Sequence, residues 1–170
     1  MAQARAEARV PTAERAGPVA KEILGAGIAA GVIGGVLMGM LAMVVALAMG
    51  QGFWTPMKLI AGTTHGVDVL IGGPGIVMWG LLLHMIVSAG YGVLFALVIP
   101  RDTRRGTALV AGLVYGALIW AFMGSLILPR FDPTMHARVA MMAGWFFLEH
   151  LLYGVGVSLG PALRRRFGRT

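Results

Sequence analysis

Four long apolar runs separated by short polar stretches dominate the hydropathy pattern of the chain. They cover roughly 23–49, 74–99, 107–128 and 138–161. A bilayer core of about 30 Å is crossed by about 20 helical residues, and backbone polar groups within hydrocarbon must be paired inside their own segment. The pattern therefore predicts an all-α fold, a polytopic membrane four-helix bundle.

Prolines mark where two helices on one side of this bundle begin. Thr55 before Pro56 predicts a short interfacial helix over 56–62, between the first and second spans. Asp132 before Pro133 is a similar start signal between the third and fourth spans. The sequence therefore predicts that a helix begins at each of these two prolines.

The polar ends of the chain flank the predicted four-helix domain, residues 23–162. Residues 1–22 carry mixed charges and two prolines, which predicts a mobile tail, and residues 163–170 form a basic tail. Lys and Arg concentrate in both tails and in the turn 101–105, whereas the opposite side has fewer. The cations on that side are Lys58, Arg130 and Arg138. The positive-inside rule then predicts cytoplasmic termini in a bacterial cytoplasmic (inner) membrane.

Helices two and four carry matching residues, so the two halves of the chain resemble each other. Trp79 precedes His84 by five residues, and Trp145 precedes His150 by five. A Tyr-Gly pair follows each histidine, at Tyr91-Gly92 and Tyr153-Gly154. Each copy crosses the membrane twice, so the two predicted two-helix repeats are parallel, related by an axis along the membrane normal. Both imidazoles should then face the bundle centre at one depth.

Composition supports a membrane protein and narrows the candidate chemistry. Of the 170 residues, 58% are hydrophobic and 12% charged, and the mean hydropathy is +0.81, outside the range of soluble domains. The formal charge of +7 falls in clusters beside the spans, which favours anionic lipid head groups as the partner rather than nucleic acid. The chain contains no cysteine, which excludes disulfides, thiol catalysis and cysteine-ligated metals.

Small residues at intervals of four predict close helix packing, because helices in lipid associate through tight van der Waals contact. The predicted packing positions are Gly27, Gly31, Gly35, Gly39, Ser88, Gly92, Gly112, Gly116 and Gly154, with Gly124 at compatible spacing. The same groove could serve a membrane protein partner or a homo-oligomer.

Several methionines lie on the same helices and raise the question of copper. Thioethers suit Cu(I), but methionine is also an ordinary filler of irregular apolar gaps. The set considered is Met38, Met40, Met43 and Met123. We interpret these residues as core packing, and the sequence alone predicts no metal site.

His84, His150 and Glu149 are the candidate functional residues, since ionisable groups at membrane depth are costly. The histidines could be hydrogen-bonding struts, axial ligands of haem b, or metal ligands together with Glu149. The carboxyl of Glu149 could carry protons or ions, or be a neutral acid bonded to a carbonyl. It points about 100° away from its neighbour His150 on the helix.

Outside the spans, His65, Asp68 and His136 are interpreted as exposed loop polarity. The chain has no nucleophile elbow, P-loop, zinc-protease motif or dinucleotide-binding glycine pattern. The sequence therefore predicts a protein that is not an enzyme.

The string Trp79-Gly80, His84, Ser88 and Tyr91-Gly92, with a second histidine before Tyr153-Gly154, resembles a group of small four-helix bacterial membrane proteins with no assigned activity. The resemblance spans about residues 25–160 and implies the fold alone. We expect a non-catalytic integral membrane subunit or accessory protein of a larger bacterial membrane complex. Two alternatives stay open: a bis-histidine haem b or metal-binding electron-transfer protein, and a small proton or ion conductor using Glu149.

Overall fold

The computed structural model describes residues 12–168, except for the side chains of residues 12–18 and 67. Helix accounts for 87% of these residues, and no strand occurs among them. The all-α prediction is confirmed. In the described part of the chain, four stretches are long and apolar enough to cross a membrane, and we call them the first to fourth spans. They are Val19–Ala48, Pro74–Val98, Arg105–Phe131 and Ala143–Phe167.

The described residues form eight α-helices and two irregular helical segments. The elements in chain order are α1 (Thr12–Ala48), α2 (Thr55–His65), a 3₁₀ turn (Val67–Ile71), α3 (Pro74–Val98), α4 (Arg105–Phe122), a π-helical segment (Met123–Ile127), α5 (Leu128–Phe131), α6 (Pro133–Met141), α7 (Ala143–Val157) and α8 (Gly160–Phe167). The third span thus joins α4 and α5 through the π segment, and the fourth joins α7 and α8 through a turn.

The helix α1 begins well before the predicted start of the first span. It includes residues 12–22, which the sequence assigned to a mobile tail, while residues 1–11 lie outside the described part of the chain. Ala, Glu, Lys and Arg, which dominate this stretch, are strong helix formers. Glu22 also forms an ion pair of 3.5 Å with Arg101 in the turn after α3, which helps to hold this end of α1.

Proline-led helices occur in both connections, as predicted. In α2, Pro56 lies in the first turn, and the helix continues past the predicted boundary to His65. Before α6, the carboxylate of Asp132 accepts a 2.8 Å hydrogen bond from the Met135 amide, the expected N-cap. The α2 helix lies directly against α3, because a Cβ at Gly80 would collide with the carbonyl oxygen of Met57.

The third span continues beyond its predicted end at Leu128 because its backbone changes from an α-helix to a wider π-helix just before Pro129. Pro129 lacks an amide hydrogen, and its ring would clash with the carbonyl four residues earlier in a regular α-helix. The π-helical segment Met123–Ile127 comes just before it, and the Ser125 hydroxyl donates a 2.5 Å bond to the Ala121 carbonyl. This local change in winding lets the helix pass the proline and reach Phe131.

The first span is the centre of the bundle, packing against the second and fourth, while the third packs against the fourth. Backbones meet at glycines in each pair. A Cβ at Gly31 would collide with the Ser88 carbonyl, and one at Gly116 with the His150 carbonyl. The other predicted packing glycines also have close neighbours across a helix pair, whereas Gly124 faces open space. The glycine faces are therefore used inside this chain.

The basic C-terminal segment is docked against the bundle rather than free. Arg164 is buried, and its Nη1 donates to the carbonyls of Ala96 (3.2 Å) and Ile99 (2.9 Å) at the end of α3. Arg165 donates to the Arg101 carbonyl at 2.5 Å. Carbonyls in the last turn of a helix have no partner within that helix, so Arg164 satisfies carbonyls at the end of α3, and its charge complements the helix dipole there.

Candidate functional site

Two adjoining pockets open at the end of the bundle where α2 and α6 lie. The larger, of about 270 Å³, is lined by residues of all four spans, and we call it the histidine pocket. The smaller, of about 170 Å³, lies beside the first span and contains Glu149, and we call it the glutamate pocket. Side chains that line both are Met38, Ile60, His84, Met135 and Phe146.

His84 in α3 is held against the first span by a backbone hydrogen bond. Its Nε2 lies 2.9 Å from the carbonyl oxygen of Gly35 and must donate to it, since a carbonyl only accepts. The ring fits here because glycines line this face of α1: a Cβ at Gly39 would lie 3.3 Å from Nε2. Within residues 12–168, Nδ1 has no hydrogen-bond partner.

His150 in α7 is 3% exposed and is held by its own helix. Its Nδ1 donates a 2.7 Å bond to the Phe146 carbonyl, one turn earlier. The Phe146 ring also packs edge-on against the imidazole, with the ring centroids 4.4 Å apart. The remaining nitrogen, Nε2, has no hydrogen-bond partner in the described part of the chain. This side chain therefore does not tie two helices together.

Both histidines line the histidine pocket, and each has one ring N–H bonded to a backbone carbonyl. The second nitrogen of each ring then carries a lone pair. A carbonyl that fixes the tautomer in this way is the usual outer partner of a metal-ligating histidine. The arrangement suits a metal ion or a hydroxyl donor. It does not suit haem ligation through His84 Nε2, because the Gly35 carbonyl occupies that nitrogen.

Three tyrosines join the second, third and fourth spans, and two of them, Tyr91 and Tyr153, also line the histidine pocket. The Tyr153 hydroxyl donates to the Ser88 carbonyl at 2.6 Å, and the Tyr115 hydroxyl to the Tyr91 carbonyl at 2.8 Å. Tyr91 in turn lies 3.7 Å from the Met123 sulfur. The sequence analysis missed Tyr115 altogether. The available signal was that a phenol within an apolar helix needs a hydrogen-bond partner.

Glu149 faces the other pocket, away from His150, as the helix geometry predicted. The residue is 9% exposed, and its side chain lines the glutamate pocket with Arg138 at the same cavity. Among the described side chains it forms no hydrogen bond, and no ion pair within 4.0 Å joins it to Arg138. A role for Glu149 in moving protons or ions stays a prediction.

The polar residues of the α2 connection form a separate surface cluster. Trp79 Nε1 donates to the Thr64 hydroxyl at 2.9 Å, and that hydroxyl lies 2.9 Å from His65 Nδ1. The His65 and Trp79 rings pack edge-on, 5.6 Å apart. Residues 12–168 contain no group of three or more His, Cys, Asp or Glu side chains that could hold a metal.

The chain matches no known protein family, no curated protein and no solved structure. Four apolar helices, each long enough to cross a bilayer, indicate a multi-pass membrane protein. The resemblance to small four-helix bacterial membrane proteins stays a prediction from the motifs.

Proposed function

We propose that the chain is a non-catalytic, multi-pass membrane protein that binds a small ligand in the histidine pocket through His84 and His150. The observation that carries this proposal is the pair of ring nitrogens, one on each histidine, that have no protein partner in the described structure and belong to side chains of one cavity. A purely structural role accounts for His84, which bonds to a neighbouring helix. It does not account for His150, whose bond stays within its own helix.

Membrane insertion is supported by the outer surface of the bundle. Large apolar side chains are exposed on all four spans, for example Val44, Leu82, Val110 and Leu148. In water such a surface would be an aggregation liability, whereas lipid tails accept it at no cost. The lipid bilayer is therefore the first partner of this protein.

The proposed orientation has both termini in the cytoplasm of a bacterial cell, with the protein in the cytoplasmic membrane. Arg101, Arg164 and Arg165 interact at one end of the bundle, which supports a common cytoplasmic side for the turn after α3 and the C-terminal helix. A reporter fused at residue 103 should give a cytoplasmic signal, and one fused at residue 134 a periplasmic signal. Equal or reversed signals at the two sites would contradict this orientation.

The two-repeat architecture is also a proposal, and the backbone contacts support a particular register. Gly31 meets the Ser88 carbonyl in the first helix pair, and Gly116 meets the His150 carbonyl in the second. One turn away, the corresponding close contacts are Gly27 with Gly92 and Gly112 with Gly154. In this register His150 corresponds to Ser88, one helical turn from the match that the tryptophan–histidine spacing suggests. The two histidines then reach one pocket from inequivalent positions.

A second candidate function, an accessory subunit of a larger membrane complex, is favoured by the third span. Only 17% of its apolar stretch is buried, against 44% for the fourth span. Because the glycine faces are used within the chain, a membrane protein partner or a second copy would contact the larger side chains of this exposed face. Purification in mild detergent as a lone monomer, without any co-purifying protein, would contradict this candidate.

Ligand content of the purified protein tests the principal proposal. We expect wild-type protein to retain a metal, measured by elemental analysis, or an organic molecule, measured by native mass spectrometry. The His150→Leu variant should lose it, because the free Nε2 disappears, while His65→Leu should retain it as a matched control on the surface. Equal occupancy in the His150→Leu variant and the wild type would refute the proposal.

A further inference from the structure

We infer that the histidine pocket is a site for the soft monovalent metal ion Cu(I), bound by His84 Nδ1, His150 Nε2 and the thioether of Met38. This inference rests on the proposed function of the same pocket and names the class of ligand. It uses side chains from three different spans, α1, α3 and α7. A bound ion would therefore join the halves of the bundle.

The donor set selects the metal. Zinc in proteins takes four tetrahedral nitrogen, sulfur or oxygen ligands, and calcium or magnesium takes oxygen ligands. The described residues provide no group of three or more His, Cys, Asp or Glu side chains, so hard and borderline ions lack a sufficient ligand set. Imidazole and thioether donors together suit Cu(I).

The lack of charge on the candidate ligands also favours a monovalent ion. Burying an ion in a medium of low dielectric constant is expensive, and neutral ligands do not offset its charge. The candidate donors, two imidazoles and a thioether, are all uncharged. A monovalent ion is therefore easier to hold in this apolar pocket than a divalent one.

The positions of the methionines distinguish ligands from packing residues. Met38 lines both pockets, as His84 does, and it lies one turn after Gly35, whose carbonyl orients the His84 ring. Met40, by contrast, is 47% exposed on the outer surface, and Met43 is buried away from both pockets. The methionine set considered from the sequence thus divides into pocket and non-pocket members.

Further thioethers extend from the pocket towards the end of the bundle. Met123 and Met135 line the histidine pocket, and the adjoining glutamate pocket is lined by Met57, Met141 and Met142. Met141 is 81% exposed. This series of soft donors offers a route by which Cu(I) would reach the histidines from the end where α2 and α6 lie.

Two backbone carbonyls orient the imidazole rings of the proposed site. The Gly35 carbonyl accepts from His84 Nε2, and the Phe146 carbonyl accepts from His150 Nδ1. Each bond fixes the tautomer whose other nitrogen can bind a cation without first losing a proton. Metal binding here needs no deprotonation of a neutral histidine.

Competition with a chromophoric Cu(I) chelator, under reducing conditions on detergent-purified protein, tests the inference. We expect one Cu(I) per chain and no comparable binding of Zn²⁺. The variants His84→Leu, His150→Leu and Met38→Leu should each weaken Cu(I) binding by at least about tenfold. The matched controls His65→Leu and Met40→Leu should bind as the wild type does.

X-ray absorption at the copper edge of the loaded wild type gives a second readout that needs no variant. We expect nitrogen and sulfur scatterers together; a copper shell without sulfur would overturn the inference. Wild-type protein that does not bind Cu(I), or His84→Leu and His150→Leu variants that bind it unchanged, would overturn it as well. An organic molecule or another ion in the pocket would contradict the Cu(I) inference but not the proposed ligand-binding function. A pocket that binds nothing would contradict both.

Discussion

Replacing Gly92 by alanine tests the helix packing on which the pocket depends. A Cβ at this position would lie 2.5 Å from the Cα and 2.7 Å from the amide nitrogen of Gly31, where ordinary contacts are 3.4–4 Å. Both neighbours are backbone atoms, so the two spans must separate by about 1 Å, which forfeits much of the dispersion energy along the seam. Overpacking of this kind typically costs about 1–3 kcal/mol.

The matched control is Gly90→Ala, two residues away in the same helix. A Cβ there meets nothing within 4 Å, and alanine favours the helix by up to about 1 kcal/mol over glycine. Unfolding in mixed micelles, followed by circular dichroism, should therefore give Gly92→Ala a free energy of unfolding about 2 kcal/mol or more below that of Gly90→Ala. Equal stabilities of the two variants would refute the proposed contact between the first and second spans.

Three further substitutions have defined outcomes. Arg164→Ala should destabilise the fold by about 1–3 kcal/mol in the same micelle assay, because it leaves the last carbonyls of α3 unpaired. Arg166 is exposed, so Arg166→Ala should change the stability little. Equal effects of the two variants would contradict the docking of α8. Tyr153→Phe should cost about 1 kcal/mol through the lost bond to Ser88, and an unchanged stability would refute that bond. Glu149→Gln should leave proton flux into liposomes unchanged from wild type, because the proposed function uses the histidine pocket and Glu149 lines the other one; flux that depends on Glu149 would contradict this expectation and support a conductor.

The helical class and much of the layout were predictable because they depend on local patterns. Apolar runs of spanning length and prolines after Thr55 and Asp132 predicted the long helices and the short ones between them. The end of the third span was missed, because the π-helical segment before Pro129 depends on how the backbone relaxes around the ring. The start of α1 differs from the prediction because mixed charges and prolines predict a mobile tail over residues 1–22, although most residues of 12–22 favour helix.

The pocket depended on information that local patterns do not contain. The bond from His84 to Gly35 joins residues 49 positions apart, and no periodicity in one helix reveals which neighbour its face will meet. The same holds for Arg164 and for the division of the methionines between pocket and outer surface. The proposed repeat is an example: matching tryptophan–histidine spacings predict equivalent histidines, whereas in the register of the backbone contacts His150 corresponds to Ser88.

Nitrogen NMR of the histidine side chains tests the central claim most directly. In ¹⁵N-histidine-labelled protein, His84 should carry its hydrogen on Nε2 and His150 on Nδ1, as their bonds to the Gly35 and Phe146 carbonyls require. Adding Ag⁺, a redox-stable substitute for Cu(I), should shift the resonances of His84 Nδ1 and His150 Nε2, and both changes should be complete at one equivalent of Ag⁺ per chain. Opposite tautomers, or resonances that do not respond to Ag⁺ or to any ligand the protein retains, would contradict a shared binding pocket.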